Sequence, residues 1–322
     1  MSIYPEEGTV GMNIAQISIV NSIKLLYNGE ILPILLLDRT TRKNIVWATD
    51  EYKAEGNRLS ATESIEIKDI TGEFANRIRP RCSKTLESQK DRTKKKAEVF
   101  TPSWICNQMN NVLDEDYLGY KDAFNHASDN TWETSSVPIA FQDKRSWQEY
   151  VDLTRLEITC GEAPFVTSRY FPSTGEMIDV ENRIGFLDRK LRVTAENADY
   201  DEYREWSLRA LQSSYGYEYQ GDNLLIARIN VFLTWYEHYL QKTGSEPSSK
   251  DAKEAARIIS WNFWQMDGLT GAVPTKPLYE SDQISIFEIM GDIPLVSKEE
   301  TYSKIYDWRA NQSQTYKSLK GE

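Results

Sequence analysis

Chemistry is concentrated first in Leu156-Glu157-Ile158-Thr159-Cys160-Gly161-Glu162-Ala163-Pro164-Phe165, where an apolar run meets an acid and then a Cys-Gly turn. This is the pattern of a buried strand ending in a tight bend. Glycine suits such a bend because it tolerates positive φ and leaves bare backbone open to a ligand. In open α/β sheets these turns face the crevice beyond the carboxyl ends of the strands, where ligands bind. A second segment, Tyr215-Gly216-Tyr217-Glu218-Tyr219-Gln220-Gly221-Asp222-Asn223, sets an acid after another strand. A carboxylate there can accept both hydroxyl hydrogens of a ribose. A third, Ala97 to Ile105, carries Phe100-Thr101-Pro102.

Other chemistries have little to draw on. His126 and His238 are the only histidines, so neither a histidine-rich metal site nor a Ser-His-Asp triad is expected. The three cysteines, Cys82, Cys106 and Cys160, are scattered without metal-like pairing and fit a reducing cytoplasm. Cys160 reads as a plain buried thiol rather than a nucleophile, since no histidine lies near it in sequence. No apolar run reaches the length of a membrane span, and the first residues lack the basic start and apolar core of a signal peptide.

The net charge of −11 argues against indiscriminate nucleic-acid binding. The charge is uneven, however: Arg77 to Lys96 holds nine Lys or Arg against Glu87 and Asp91. Such a stripe, with Arg92, Lys94, Lys95 and Lys96 at its core, is either a phosphate-tracking patch or a solvated linker. The nine Trp and eighteen Tyr provide buried area and also stacking surfaces.

The elements that must position these residues follow from periodicity. Residues 1–76 read as a strand-rich region. Its signals are the apolar runs Ile17 to Val20 and Ile31 to Leu37 (strand or buried-helix length), an Asn28-Gly29 turn, Asn44 to Ala48, and alternation over Ser64 to Lys68. Glu66-Ile67-Lys68 matches the Glu-x-Lys triplet of metal-dependent nucleases, a pattern common by chance. Residues 77–96 form a basic linker. From Ser103 to Leu113 the spacing of Ile105, Met109 and Val112 predicts a helix beginning just after Pro102. Residues 114–149 are polar and turn-rich, the mark of a surface insertion, and 167–214 is a second insertion. Leu224 to Leu240 predicts a helix with apolar positions 225, 226, 229, 232 and 236. Ser248 to Asp251 predicts the cap of another helix, and Ile258 to Leu269 an apolar segment ending in an acidic turn. Residues 298–322 are a polar tail.

The three segments, in this order, resemble the S-adenosylmethionine (SAM)-binding half of adenine-specific DNA methyltransferases of restriction–modification systems, and in particular the short proteins named restriction endonuclease subunit M. That family carries Phe-Thr-Pro, then Asp/Glu-Pro-Ala-Cys-Gly-x-Gly-x-Phe, then Gly-x-Glu-hydrophobic-Asp opening a helix with Ala-Arg-x-Asn. The resemblance covers about residues 93 to 270. It implies an α/β fold: a SAM-dependent methyltransferase (Rossmann-like) sheet over 97–297 with helices on both faces, plus the small strand-containing N-terminal region. It implies SAM as cofactor, held by Phe100, Thr101 and Pro102 at the methionine end and by Glu157, Thr159, Cys160 and Gly161 as the floor. Glu218 and Tyr219 would lie at the ribose, and Asp267 and Leu269 at the adenine.

The chain departs from the family at Ala163 and Pro164, where a glycine and a variable residue are usual. It also lacks the Asp/Asn-Pro-Pro-aromatic loop that holds a flipped adenine. The nearest counterpart is Gly291-Asp292-Ile293-Pro294-Leu295, with Asp292 and Pro294 as candidate catalytic residues. The resemblance therefore implies methyl transfer to the adenine amine of DNA within a restriction–modification or phage-defence system. The alternatives are a catalytically inactive SAM sensor, DNA-binding or assembly subunit working beside a restriction or specificity subunit, and a small-molecule or protein methyltransferase, which the acidic charge suits.

Overall fold

The computed structural model describes residues 19–85, 90, 93–94, 101–142, 146–274 and 301–319. Nine α-helices and seven short strands are found there. In chain order they are α1 (Ile19–Leu25), α2 (Ile31–Leu36), α3 (Ser103–Leu118), β1 (Asn125–Ser128), β2 (Thr131–Thr134), α4 (Trp147–Asp152) and β3 (Arg155–Glu157). Then come α5 (Phe186–Asn197), α6 (Tyr200–Gln212), β4 (Ser214–Glu218), α7 (Gly221–Thr243), α8 (Ser249–Asn262) and β5 (Phe263–Gln265). The C-terminal part holds β6 (Lys304–Asp307), β7 (Gln312–Thr315) and α9 (Tyr316–Leu319).

The fold is mixed α/β. Its central sheet has the order β3-β4-β5 and is parallel throughout. Parallel neighbours need long crossovers, and here each is a pair of helices: α5 and α6 join β3 to β4, and α7 and α8 join β4 to β5. Residues 167–214 thus make up most of the first crossover of the sheet. They bury Phe186, Leu187, Leu191, Val193, Tyr203 and Leu211 in the main core. Among the described residues the sheet has these three strands, one βαβαβ unit, and no wider doubly wound sheet.

Among the described residues the two faces of the sheet are covered differently. Residues alternate between the faces of a strand, and Gly216 and Phe263 look toward the helical core. Here a side chain at 216 would meet the Phe263 ring at 2.8 Å, so glycine is required by close approach. The opposite face carries Tyr215, Tyr217 and Trp264, and these pack on Ile305 and Tyr316 of the β6–β7 hairpin and α9. A hairpin covers that face, and it covers only part of it: Leu156 and Ile158, in and just beyond β3, stay 44% and 63% exposed.

In the N-terminal region the two apolar runs, which read as strand or buried helix, are helical over Ile19–Leu25 and Ile31–Leu36. Ile31 to Leu36 is continuously apolar, so period two and period 3.6 cannot be told apart from composition. As a helix it buries Ile31, Leu32, Leu35 and Leu36 on one side, and Pro33 falls in the first turn, where its missing N–H costs nothing. The extended segments that follow form no named strand but pair at the bridges Leu37 with Asn44 and Val46 with Ser64, and Ala48 N–H donates to the Ala61 carbonyl at 2.8 Å. They reach the sheet through a side chain. Gln265, at the end of β5, accepts from Val46 N–H at 2.9 Å and donates to the carbonyls of Val46 and Tyr219, each at 2.8 Å.

Helix α7 is longer than predicted and almost wholly buried. Ser248 caps α8 by accepting from Asp251 N–H at 3.1 Å, as its sequence indicates. At the start of α7 a side chain on Gly221 would lie 2.0 Å from the Val46 carbonyl oxygen. Gly221→Ala is therefore expected to lower the unfolding free energy by about 1–3 kcal/mol, the cost of overpacking, measured by urea denaturation.

Candidate functional site

The carboxyl ends of β3 and β4 open into a cavity of about 1070 Å³. One wall is the turn that follows β3, and its backbone is unusual. Thr159, Gly161 and Ala163 have φ of 46°, 55° and 65°, three left-handed residues at alternate positions. For the β-branched Thr159 this conformation is a steric outlier, and such strain is held only where surrounding contacts impose it. Ala163 holds a positive φ that a glycine would adopt freely.

Three sets of bonds fix the turn. Cys160 N–H donates to the Tyr217 carbonyl at 2.8 Å, extending the β3–β4 pairing past the strand. Gly161 N–H donates to Glu218 Oε2 at 2.8 Å, and Gln220 N–H donates to Oε1 of the same carboxylate at 3.0 Å. Glu218, at the end of β4, thus draws the turn after β3 toward the start of α7. On the floor, Glu157 accepts from Val166 N–H at 3.2 Å and weakly from Phe165 N–H at 3.5 Å.

Burial pushes the Glu157 carboxyl well above the usual carboxylate range, the two N–H donors oppose this, and Glu218 adds to it. Burial likewise raises the Cys160 thiol well above its ordinary value, helped by Glu157 and Glu218, so it is a protonated thiol and not a nucleophile.

Seven of the residues singled out from sequence line this one cavity: Thr101, Glu157, Thr159, Cys160, Gly161, Glu218 and Tyr219. Pro102 stands outside the lining, immediately before α3. Asp267 and Leu269 do not join it. Asp267 Oδ1 accepts from Leu269 N–H at 2.8 Å and closes the turn after β5, while Leu269 projects into solvent, 92% exposed. Phe100, Asp292, Pro294, Arg92, Lys95 and Lys96 lie outside the described residues. Among the described residues no cluster of three or more metal-ligating side chains occurs, and no helix is long and apolar enough to cross a membrane.

Of the described basic stripe, Arg77, Arg81 and Lys84 are engaged within the fold, while Arg79 and Lys90 are exposed. Arg77 pairs with Glu55 at 2.9 Å and lies over Phe74, with 7% of its side chain exposed. Lys84 is 3.5 Å from Asp222 and 9% exposed. Arg81 N–H donates to Glu162 at 2.7 Å, and the Arg81 guanidinium donates to Thr93. Lys94 is exposed.

Sequence reading missed the other wall, helix α3. Its predicted core positions Met109 and Val112 are 54% and 64% exposed, and Leu113 is 54% exposed. Its buried residues include Asn107, Asn110 and Asp114. Asp114 bonds Arg189 at 2.6 Å, Arg155 at 2.5 Å and the Tyr150 hydroxyl at 2.8 Å, and Asn107 pairs with Asn125. The polar segment after residue 113 is thus partly core: Asp114 and Asn125 are each 2% exposed. The apolar spacing was visible in the sequence, but the partners that bury the opposite stripe lie 18 to 82 residues away.

Comparison with known protein families, with curated proteins and with solved structures finds no match in any of the three.

The buried Glu157 sets a pH dependence. Its folded pKa is raised, so its stabilising contribution is complete below the ordinary value near 4.5 and is lost as pH rises through the raised value. Glu157→Gln is expected to melt at a higher temperature than the native chain at pH 7, with the difference vanishing near pH 4, in thermal scans across that range.

Proposed function

We propose that the cavity is a SAM-binding site and that the protein is a SAM-dependent methyltransferase. The observation that carries this reading is the pairing of Glu218, at the end of β4, with the Gly161 turn beyond β3 across one cavity. A carboxylate after the second strand of a βαβαβ unit stands where nucleotide-binding sheets receive a ribose. The Thr159–Ala163 backbone would face the methionine end, and Glu157 would lie beneath it.

The alternatives within nucleotide-binding sheets are dinucleotides, whose pyrophosphate rests on the N-terminus of the helix directly after the first strand. Here that helix, α5, begins at Phe186, far along the chain from Glu157. Its first N–H groups are already used: Phe186 donates to the Phe165 carbonyl at 2.9 Å and Leu187 to the Val166 carbonyl at 3.0 Å. Glu162 and Glu218 at the same place would repel phosphates and favour a cationic sulfonium.

Bound SAM would supply an electrophilic methyl group: the acceptor's lone pair forms the new bond as the C–S electrons return to sulfur, and the acceptor's proton passes to water. The residues around it bind and orient, and Cys160, protonated and buried, takes no covalent part.

Calorimetric titration of the purified chain with SAM, NAD and ATP tests this. Micromolar SAM binding, weakened at least ten-fold in Glu218→Ala and not matched by NAD or ATP, is expected. Equal uptake of the three nucleotides, or indifference to Glu218→Ala, would remove the reading.

A further inference from the structure

Helix α3 is built inside out. Its polar stripe is sealed in the Asp114–Arg189–Arg155 network, while Met109, Val112 and Leu113 look outward over the cavity. Across the cavity, Leu156 and Ile158 of the β3 edge face the same space. These five account for five of the eleven large hydrophobic side chains that are most exposed among the described residues, and they share one cavity. Exposed apolar side chains gathered in this way mark a binding surface rather than chance exposure. At about 1070 Å³ the cavity lies at the upper limit of single small-ligand pockets, so it has room for a second molecule beside a cofactor.

Acids outnumber cations in the described lining of that space. Asp116, Glu162 and Glu218 contribute carboxylates to it, with the buried Glu157 carboxyl beneath. The one cation in the described lining, Arg155, is bound to Asp114 at 2.5 Å. A nucleic acid is held by Lys and Arg that neutralise its phosphates, and among the described residues of this lining no cation other than the paired Arg155 occurs. Acids around an apolar slot suit a neutral or cationic molecule of modest size.

Resting on the cofactor reading above, we propose that the α3–β3 half of the cavity receives the methyl acceptor. That acceptor is a small apolar molecule, uncharged or positively charged, such as an alkylated aromatic amine, and not DNA. Transfer to such an amine is balanced. The unprotonated nitrogen forms the N–CH3 bond, sulfur keeps the electrons of the broken bond, and the surplus proton on nitrogen is released to water.

The test uses two probes of matched shape and opposite charge, 4-butylbenzylamine and 4-butylbenzoate, with a short DNA duplex as a third. Each is titrated into the full chain by calorimetry, with SAM titrated separately. The amine is expected to bind about ten-fold more tightly than the benzoate, and the duplex not to displace it at low salt. Val112→Lys with Leu113→Lys, both exposed positions that leave the core untouched, is expected to reverse the order of the two probes.

Equal affinity for the two probes, displacement of the amine by the duplex, or an unchanged order in the double variant would each overturn the proposal. If SAM fails to bind while the amine keeps its preference and loses it in the double variant, the cofactor reading falls and the α3 binding site stands. If SAM binds normally and the probes are not discriminated, the acceptor proposal alone falls.

Discussion

Arg228 sits near the middle of α7 with no exposed surface, and its guanidinium bonds only main-chain carbonyls. It donates to Phe263 at 2.7 Å, Leu35 at 2.6 Å, Leu37 at 3.1 Å and Ser260 at 3.3 Å. These carbonyls lie at the ends of α2 and α8 and at the start of β5, where helices leave unsatisfied acceptors and the negative end of their dipoles. Burial lowers the Arg228 pKa to about 10, still far enough above neutrality that the charge is kept. Without it those acceptors would be left in the core unpaired, which costs more than the bonds themselves add.

From that point the site is assembled by relay. With α8 and β5 tied to α7, Gln265 is carried to where it grips Val46 and Tyr219. The carbonyl of Val46 then presses against Gly221, which sets the first turn of α7 beside Glu218. Glu218 in turn holds the Gly161 turn. Each step is a hydrogen bond or a close backbone approach, so an error at any one displaces the cradle. The left-handed Thr159 and Ala163 are tolerated because the neighbours on both sides are pinned.

What the sequence made legible is the part governed by local rules. The Cys160-Gly161 bend, the acid closing β4, the long apolar helix after it and the Ser248 cap are all short-range patterns, and they stand where they were expected. What it concealed depends on distant partners. Asp114 looks like a surface residue until Arg155 and Arg189 arrive from a strand and a helix far along the chain. With that stripe inside, Met109 and Val112 must face out, against the periodicity that would bury them. The same lesson applies to α5. There Asp188, Arg189 and Lys190 look like an exposed charged turn, yet all three are buried because each finds partners across the bundle. Composition could not separate strand from helix in Ile31 to Leu36 for a different reason, the absence of any polar residue to reveal a period.

Lys190 gives this buried row a practical use. Its ammonium has no exposed surface and donates to the carbonyls of Leu153 and Ser213 and to the Ser213 hydroxyl, and burial holds its pKa well below that of an ordinary lysine. Amine-directed acylating reagents, which modify surface lysines, are shut out by the packing of α4, α5 and β4 around it. The side chain thus acts as an internal chronometer. It stays unlabelled for as long as the crossover remains docked, and the appearance of its modified peptide in a mass spectrum timestamps the opening of the whole molecule.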